Sequence, residues 1–294
     1  MNRAGLDALF TALNAALNKG LEKEWTGYQK WAMPINSKGA AEKYPMSLIL
    51  GGMREWIGSR VINRVDIEKL TVLNRDFEHT EAVSCNDIED DNVGVYAPLF
   101  EAMGVDAANL WGKLATEALV NPGNWADGSA FYGTRSLGKK SSITNKVSGN
   151  LSVSNYETAR GYMMGWCAAD GSPMGLVPDL LVCGPSNEST AKGIFDTELV
   201  VSGGSTVSNI HYKEVEIQIN PYLVGSNASK WFLICTSRGL KPVAVQKRKV
   251  GSLVRYDQEH DVCVKEENEC HYALHYRGNA AGVQPLLVVG GNVG

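Results

Sequence analysis

The sequence has no CxxC pair. Its six cysteines, Cys85, Cys167, Cys183, Cys235, Cys263 and Cys270, are scattered over 294 residues. That spacing is expected of reduced thiols in a cytosolic protein and not of a disulfide framework. Walker A, GxSxG and HExxH patterns are absent, which removes the commonest phosphate-binding, nucleophile-elbow and metalloprotease readings. Gly203-Gly204 and Gly290-Gly291 lack phosphate-cradling spacing and read as loops. No apolar run approaches the ~18 residues that a membrane-spanning helix needs. The opening Met1 to Asp7 leads into no continuous apolar stretch, so no secretory signal is read and the chain is expected to stay where it is made. Basic excess is missing too. A net charge of −4 argues against a dedicated nucleic-acid binder, although one face can still pass near DNA. No internal repeat is visible.

What is present suffices for one large or two modest domains, since 44% of residues are hydrophobic. Leu6, Leu9, Phe10, Leu13, Leu17 and Leu21 recur at helical spacing and predict an amphipathic helix over 6–21. Residues 22–52, with Trp25, Tyr28, Trp31, Pro34 and Pro45, show aromatics without a period. They read either as an extended arm that needs another surface or as an irregular N-terminus tucked onto its own domain. Lys69–Leu73 and Phe77–Val83, separated by Asn74-Arg75-Asp76, predict a projecting β-hairpin. The acidic run Asn86–Asn92 suits a helix N-terminus. A 3.6 period follows from Tyr96 to Ala118, with Asn121-Pro122-Gly123 as the stop. At ~1.5 Å per residue that helix spans roughly 35–40 Å. Gly104 and Gly112 each cost it about 1 kcal/mol relative to Ala, which points to a bend or a close contact.

Residues 124–155 read as loop with weak strands. Helices are expected at 156–169 and 189–195. Strands are expected at Leu180–Cys183, 211–219, 231–235, 243–247, around Val262 and Val264, at Tyr272–Tyr276 and at Leu286–Val289. The fold class is α+β.

Few residues invite a chemical role. Asp87, Glu89, Asp90 and Asp91 lack the EF-hand spacing and read as a helix cap or solvated face. Cys263, Cys270, His271 and His275 are the most metal-like group. On a strand, His271 and His275 sit ~13 Å apart, too far for one ion. A Cys–His nucleophile pair there has no supporting context. Lys247-Arg248-Lys249, with Lys241 and Arg255, is the densest basic patch. It reads as a solvated strand end, or as a contact to acidic groups of a neighbouring subunit or to packaged DNA.

Several segments, taken in order, resemble the Mu-like phage major head subunit family. They are Met53-Arg54-Glu55-Trp56-Ile57-Gly58-Ser59-Arg60-Val61-Ile62-Asn63, Asn74–Glu78, Asn86–Asn92, Leu180–Val182 before Pro185, and Trp231-Phe232-Leu233 with Thr236-Ser237-Arg238, Leu240-Lys241-Pro242 and Gln246–Lys249. The resemblance runs from about residue 6 to 290. Asp127-Gly128-Ser129-Ala130-Phe131-Tyr132 keeps the start of a phenylalanine-rich family segment, whereas Gly133–Ser136 departs from it. Cys235 stands where Asp is common.

The resemblance implies the Hong Kong 97-type capsid fold and a shell subunit with no catalytic residue, cofactor or metal. It implies an N-terminal arm at 1–50, an E-loop hairpin and its base at 51–92, and a peripheral-domain spine helix at 93–121. An axial domain at 122–237, peripheral strands at 238–275 and an axial C-terminal strand at 276–294 complete it. Such a subunit assembles with itself into hexamers and pentamers of an icosahedral virion, built in the host bacterial cytoplasm. Scaffold, portal and decoration proteins are the expected partners. Packaged double-stranded DNA is touched non-specifically, and no membrane is involved. Expected inter-subunit contacts are Arg54, Glu55, Trp56, Ile57, Arg60, Asp87, Glu89, Asp90, Asp91, Lys247, Arg248 and Lys249. For Trp56 and Ile57 an intramolecular core role is the competing reading. An encapsulin-like cargo compartment on the same fold is the main alternative. A hydrolase using Cys263, Cys270 and His271 is a second.

Overall fold

The computed structural model describes residues 3–46, 68–89, 93–137, 142–168, 171–202 and 205–293. Helix α1 (Arg3–Leu21) forms where the leucine spacing predicts it, and Leu6, Leu9, Leu13 and Leu17 are buried. Each such burial contributes about 1.5–3 kcal/mol. After the short helix α2 (Cys85–Glu89) comes α3 (Ala97–Val120), with Pro98 in its first turn. Asn121 ends α3, its N–H donating to Glu117 O at 2.8 Å. The acidic run therefore does not start the long helix. Asp87 lies in α2, and the first turn of α3 has no acidic residue.

α1 packs directly on α3. Two glycines make this possible. A Cβ at Gly20 would lie 2.1 Å from Glu101 O, and one at Gly104 would lie 2.2 Å from Leu17 O. Gly112 similarly admits the ring of Trp25. The glycines of α3 thus mark close contacts.

The first sheet is built on β15 (Glu269–Gly282). Along one side β15 pairs with β4 (Arg75–Ser84), and it also pairs with β13 (Val243–Lys249) and β14 (Val254–Tyr256), all antiparallel. β1 (Ala32–Asn36) adds parallel to β13. α3 lies against this sheet, with Trp111 beside Tyr276 and Phe100 edge-on to Tyr272. Tyr28 and Trp31 are fully buried in the same core. The arm reading of residues 1–50 is thereby corrected over 3–36. Its aromatics find their surface within the chain, because burying the two large rings of Tyr28 and Trp31 outweighs leaving them in water.

β2 (Ala41–Met46) pairs antiparallel with β3 (Glu68–Leu73), and no third strand joins them among the described residues. The expected hairpin between 69–73 and 77–83 is thus a misassignment of partners. β3 pairs backwards in sequence and β4 enters the first sheet. Asn74 does not reverse the chain. Its amide donates to Ser37 Oγ (2.8 Å) and Gly39 O (2.9 Å), and its N–H donates to Ala40 O (2.9 Å), which pins the foot of the ribbon.

The second sheet runs β11-β8-β12-β16-β7: β11 (Glu216–Ile219), β8 (Leu180–Cys183), β12 (Trp231–Ile234), β16 (Val288–Gly291) and β7 (Lys146–Val147). Leu181, Cys183, Trp231, Leu233 and Val289 pack against α4 (Val153–Gly165) and α5 (Glu188–Phe195). Leu180, Val182, Phe232, Ile234 and Val288 face the core built on α3. Both faces are covered, which is why these strands read as continuous apolar runs. Small two-stranded pieces, β5 (Thr134–Ser136) with β6 (Ser142–Thr144) and β9 (Leu199–Ser202) with β10 (Ser205–Ser208), complete the described fold.

Three strand expectations fail in whole or part. Leu286 and Leu287 lie in a 3-10 turn ahead of β16. Residues 211–215 form turns before β11. Val264 belongs to a π-helical turn at Cys263–Glu267, which Val262 precedes in helical conformation and Asn268 closes at φ 56°. The left-handed Asn starts β15 afresh.

Candidate assembly surfaces

Of the expected contact residues, Arg54, Glu55, Trp56, Ile57, Arg60, Asp90 and Asp91 lie outside the described residues, as does the side chain of Glu89. Asp87 accepts a hydrogen bond from the Tyr96 hydroxyl. That bond, with some burial, holds the Tyr96 hydroxyl above its ordinary pKa.

The basic patch divides. Lys247 turns inward, with Nζ 3.5 Å from Glu24 and over the rings of Trp111 (5.2 Å) and Tyr28 (5.9 Å). It is a cation held by aromatic faces and a carboxylate inside its own chain. Arg248 and Lys249 are exposed. Lys249 Nζ meets His275 Nδ1 at 3.0 Å, and His275 Nε2 meets Asp76 at 3.0 Å. A bulge between Lys247 and Lys249 separates the two environments. Lys241 donates to Thr236 O, and Arg255 pairs with Asp7 at 2.7 Å.

The metal-like group does not converge. Cys270 is buried beside Cys85, and the Cys263 thiol donates to Tyr256 O. His271 sits with Glu267 (3.4 Å) and Glu269 (3.2 Å), and His275 with Asp76. Glu267, Glu269 and His271 are the group among the described residues whose ligand atoms approach within 4.8 Å of one another, and it lies at the surface. The hydrolase reading loses its geometry. Burial, and then the hydrogen bond with Cys85, push the Cys270 thiol far above the usual value, the reverse of an activated nucleophile.

Buried polar residues outside the expected contact set hold the chain together. Gln246, fully buried, accepts from Tyr44 Oη (3.0 Å) and donates to Val72 O (3.0 Å) and Asn74 Oδ1 (2.7 Å), joining the ribbon to β13. A lone amide after Val243-Ala244-Val245 was the available signal, because a polar group inside an apolar run needs partners. Asn145, also fully buried, donates to Phe131 O and Pro285 O and accepts from Gly133 N–H. Arg135, in the segment that departs from the family pattern, pairs with Asp127 at 3.1 Å and stacks over Trp125.

Several apolar side chains stand exposed among the described residues. Val95 and Leu99, at the start of α3, are 69% and 54% exposed. Val254, Tyr256 and Val262 are exposed as well, and among the described residues β14 pairs with β15 alone. Unpaired strand edges and apolar side chains in water are what a subunit offers to other chains.

Solved phage capsid structures share the overall fold. The subunit in the procapsid of bacteriophage JBD30 gives a TM-score of 0.59 at 23% identity, covering 99% of this chain and 75% of that one. The architecture is therefore the Hong Kong 97-type α+β fold of phage capsid proteins.

The family described as Mu-like prophage major head subunit gpT matches residues 6–149, 140–223 and 224–285, and this chain belongs to it. The major capsid protein of Escherichia phage Mu is 34% identical over 133 residues, 44% of this chain and 43% of that protein. The Mu-like prophage FluMu major head subunit of Haemophilus influenzae is 24% identical over 272 residues, 92% of this chain and 68% of that protein. The alignment to the phage Mu protein thus spans less than half of that relative's length.

Proposed function

We propose that the chain is the tile of an icosahedral phage head, assembling through copies of itself into hexamers and pentamers around double-stranded DNA. Membership in the head subunit family carries this reading. The first sheet with α3 serves as the peripheral domain, the second sheet with α4 and α5 as the axial domain, and the β2–β3 ribbon as the root of the E-loop. A body fixed by buried packing, with an appendage attached at few points, lets one sequence occupy non-identical shell positions. Many weak contacts then add to a stable shell. Arg54, Glu55, Trp56, Ile57, Arg60, Glu89, Asp90, Asp91, Arg248 and Lys249 remain contact candidates. Lys247 serves its own chain and Asp87 is shared with Tyr96. Scaffold, portal and decoration proteins are the proposed partners, assembly proceeds in the host bacterial cytoplasm, and the subunit carries out no catalysis.

Electron microscopy of the chain, expressed alone and with its neighbouring genes, tests the proposal. Closed shells or capsomer rings are expected. A monomer under every condition overturns it, and shells filled with an enzyme cargo instead of DNA move it to the compartment reading. Trp56→Ala is expected to keep the melting temperature and abolish shells. A fall in melting temperature instead assigns Trp56 to the intramolecular core.

A further inference from the structure

Two thiols from distant parts of the chain meet in the first core. Cys85 Sγ and Cys270 Sγ are 3.6 Å apart, and both residues are buried. The ladder brings them there. Cys270 is the register partner of Val83, and Cys85 N–H donates to Asn268 O at 3.0 Å, so the two cysteines are diagonal neighbours where β4 ends against β15. A disulfide needs its sulfurs at ~2.05 Å, an approach of about 1.5 Å from the 3.6 Å separation seen here. The third thiol nearby, Cys263, is engaged with Tyr256 O at 3.4 Å.

We propose that Cys85 and Cys270 form an oxidative modification site that closes to an intrachain disulfide with a peroxide-class oxidant once the subunit leaves the reducing cytosol. One thiol gives up its proton, its thiolate attacks a peroxide oxygen as the O–O bond breaks, and the departing hydroxide takes up that proton, leaving water and a sulfenic acid. The second sulfur attacks that sulfenic sulfur and expels a second water. Two thiols and one hydrogen peroxide thus become one disulfide and two waters, with both sulfurs oxidised and the peroxide reduced. The bond ties the end of β4, whose other end leads to the ribbon, to the central strand of the first sheet. Because burial and the neighbouring thiol push Cys270 above its ordinary value, closure is slow at neutral pH and speeds up as pH rises. The chain can then be made and assembled with free thiols and linked afterwards.

The site does not depend on the shell reading, since the purified subunit tests it. The full chain is treated with hydrogen peroxide, alkylated in denaturant, digested and analysed by mass spectrometry. Loss of two of the six alkylatable thiols is expected, with one cross-linked peptide pair containing Cys85 and Cys270 and no covalent dimer. The melting temperature is expected to rise by about 5–10 °C and to return with dithiothreitol. Cys167→Ser is expected to keep the shift and Cys270→Ser to lose it. The proposal is overturned if both thiols remain alkylatable, if the partner is Cys263 or another chain, or if either sulfur stops at sulfinic acid.

Discussion

Gln246 makes three hydrogen bonds from a position with no access to water. Gln246→Leu removes all three and strands the Tyr44 hydroxyl, Val72 O and Asn74 Oδ1. A loss of about 2–4 kcal/mol is expected, read by urea unfolding, together with faster amide exchange in 41–46 and 68–73. Glu214 offers a pH-dependent case. Burial raises its pKa, but hydrogen bonds from His211 and Tyr156 and the charge of Arg160 more than reverse that, so its carboxyl is held below the ordinary value. A group depressed on folding adds stability above its unfolded pKa, and that stability is lost as pH falls through the folded value. Glu214→Gln is therefore expected to be less stable than the parent at about pH 7 and to converge with it at an acidic pH below the ordinary carboxylate range. An unchanged gap at both pH values would assign the effect to packing.

At the scale of elements, the α1–α3 contact depends on the absence of two side chains. Gly20→Ala places a methyl 2.1 Å from Glu101 O. The helices must separate, at a cost of about 3 kcal/mol, seen as a lower thermal midpoint by circular dichroism. Elements with a strong period were legible in the sequence. α1 and α3 declared themselves by spacing, and β8 and β12 by apolar runs that only a doubly covered sheet accommodates. Partner choice was not legible. Asn74-Arg75-Asp76 has turn composition, yet the side chain of Asn74 is spent on the ribbon foot, and β3 pairs with a strand far upstream. Trp25, Tyr28 and Trp31 have no period because they fill gaps between α3 and the first sheet, a role set by tertiary contacts. The alternation at Val262 and Val264 was misleading because a single π-helical turn is too short to show its own period. Among candidate contacts, the sequence could not separate Lys247 from Arg248. A bulge places one among aromatic rings and leaves the other in solvent.

At the scale of the molecule, the described residues form two cores joined through the second sheet, with apolar residues left on the outside. If those residues serve neighbouring copies, a charge there should spare the fold and harm the shell. Leu99→Lys, at a position 54% exposed, is expected to change unfolding free energy by less than about 0.5 kcal/mol. It should also reduce the yield of assembled particles in sedimentation. Normal particle yield would remove the start of α3 from the interface.

Strand β16 lies between β12 and β7, and β1 lies beside β13. Residues 146–147 therefore wait for 290–291 before they have a neighbour, and 32–36 wait for 243–247. On the ribosome, a nascent chain of half length has neither sheet complete, and long-range pairing of this kind forms late. Fragments released by interrupted translation lack the closed body, so only polypeptides synthesised through β16 can complete both sheets.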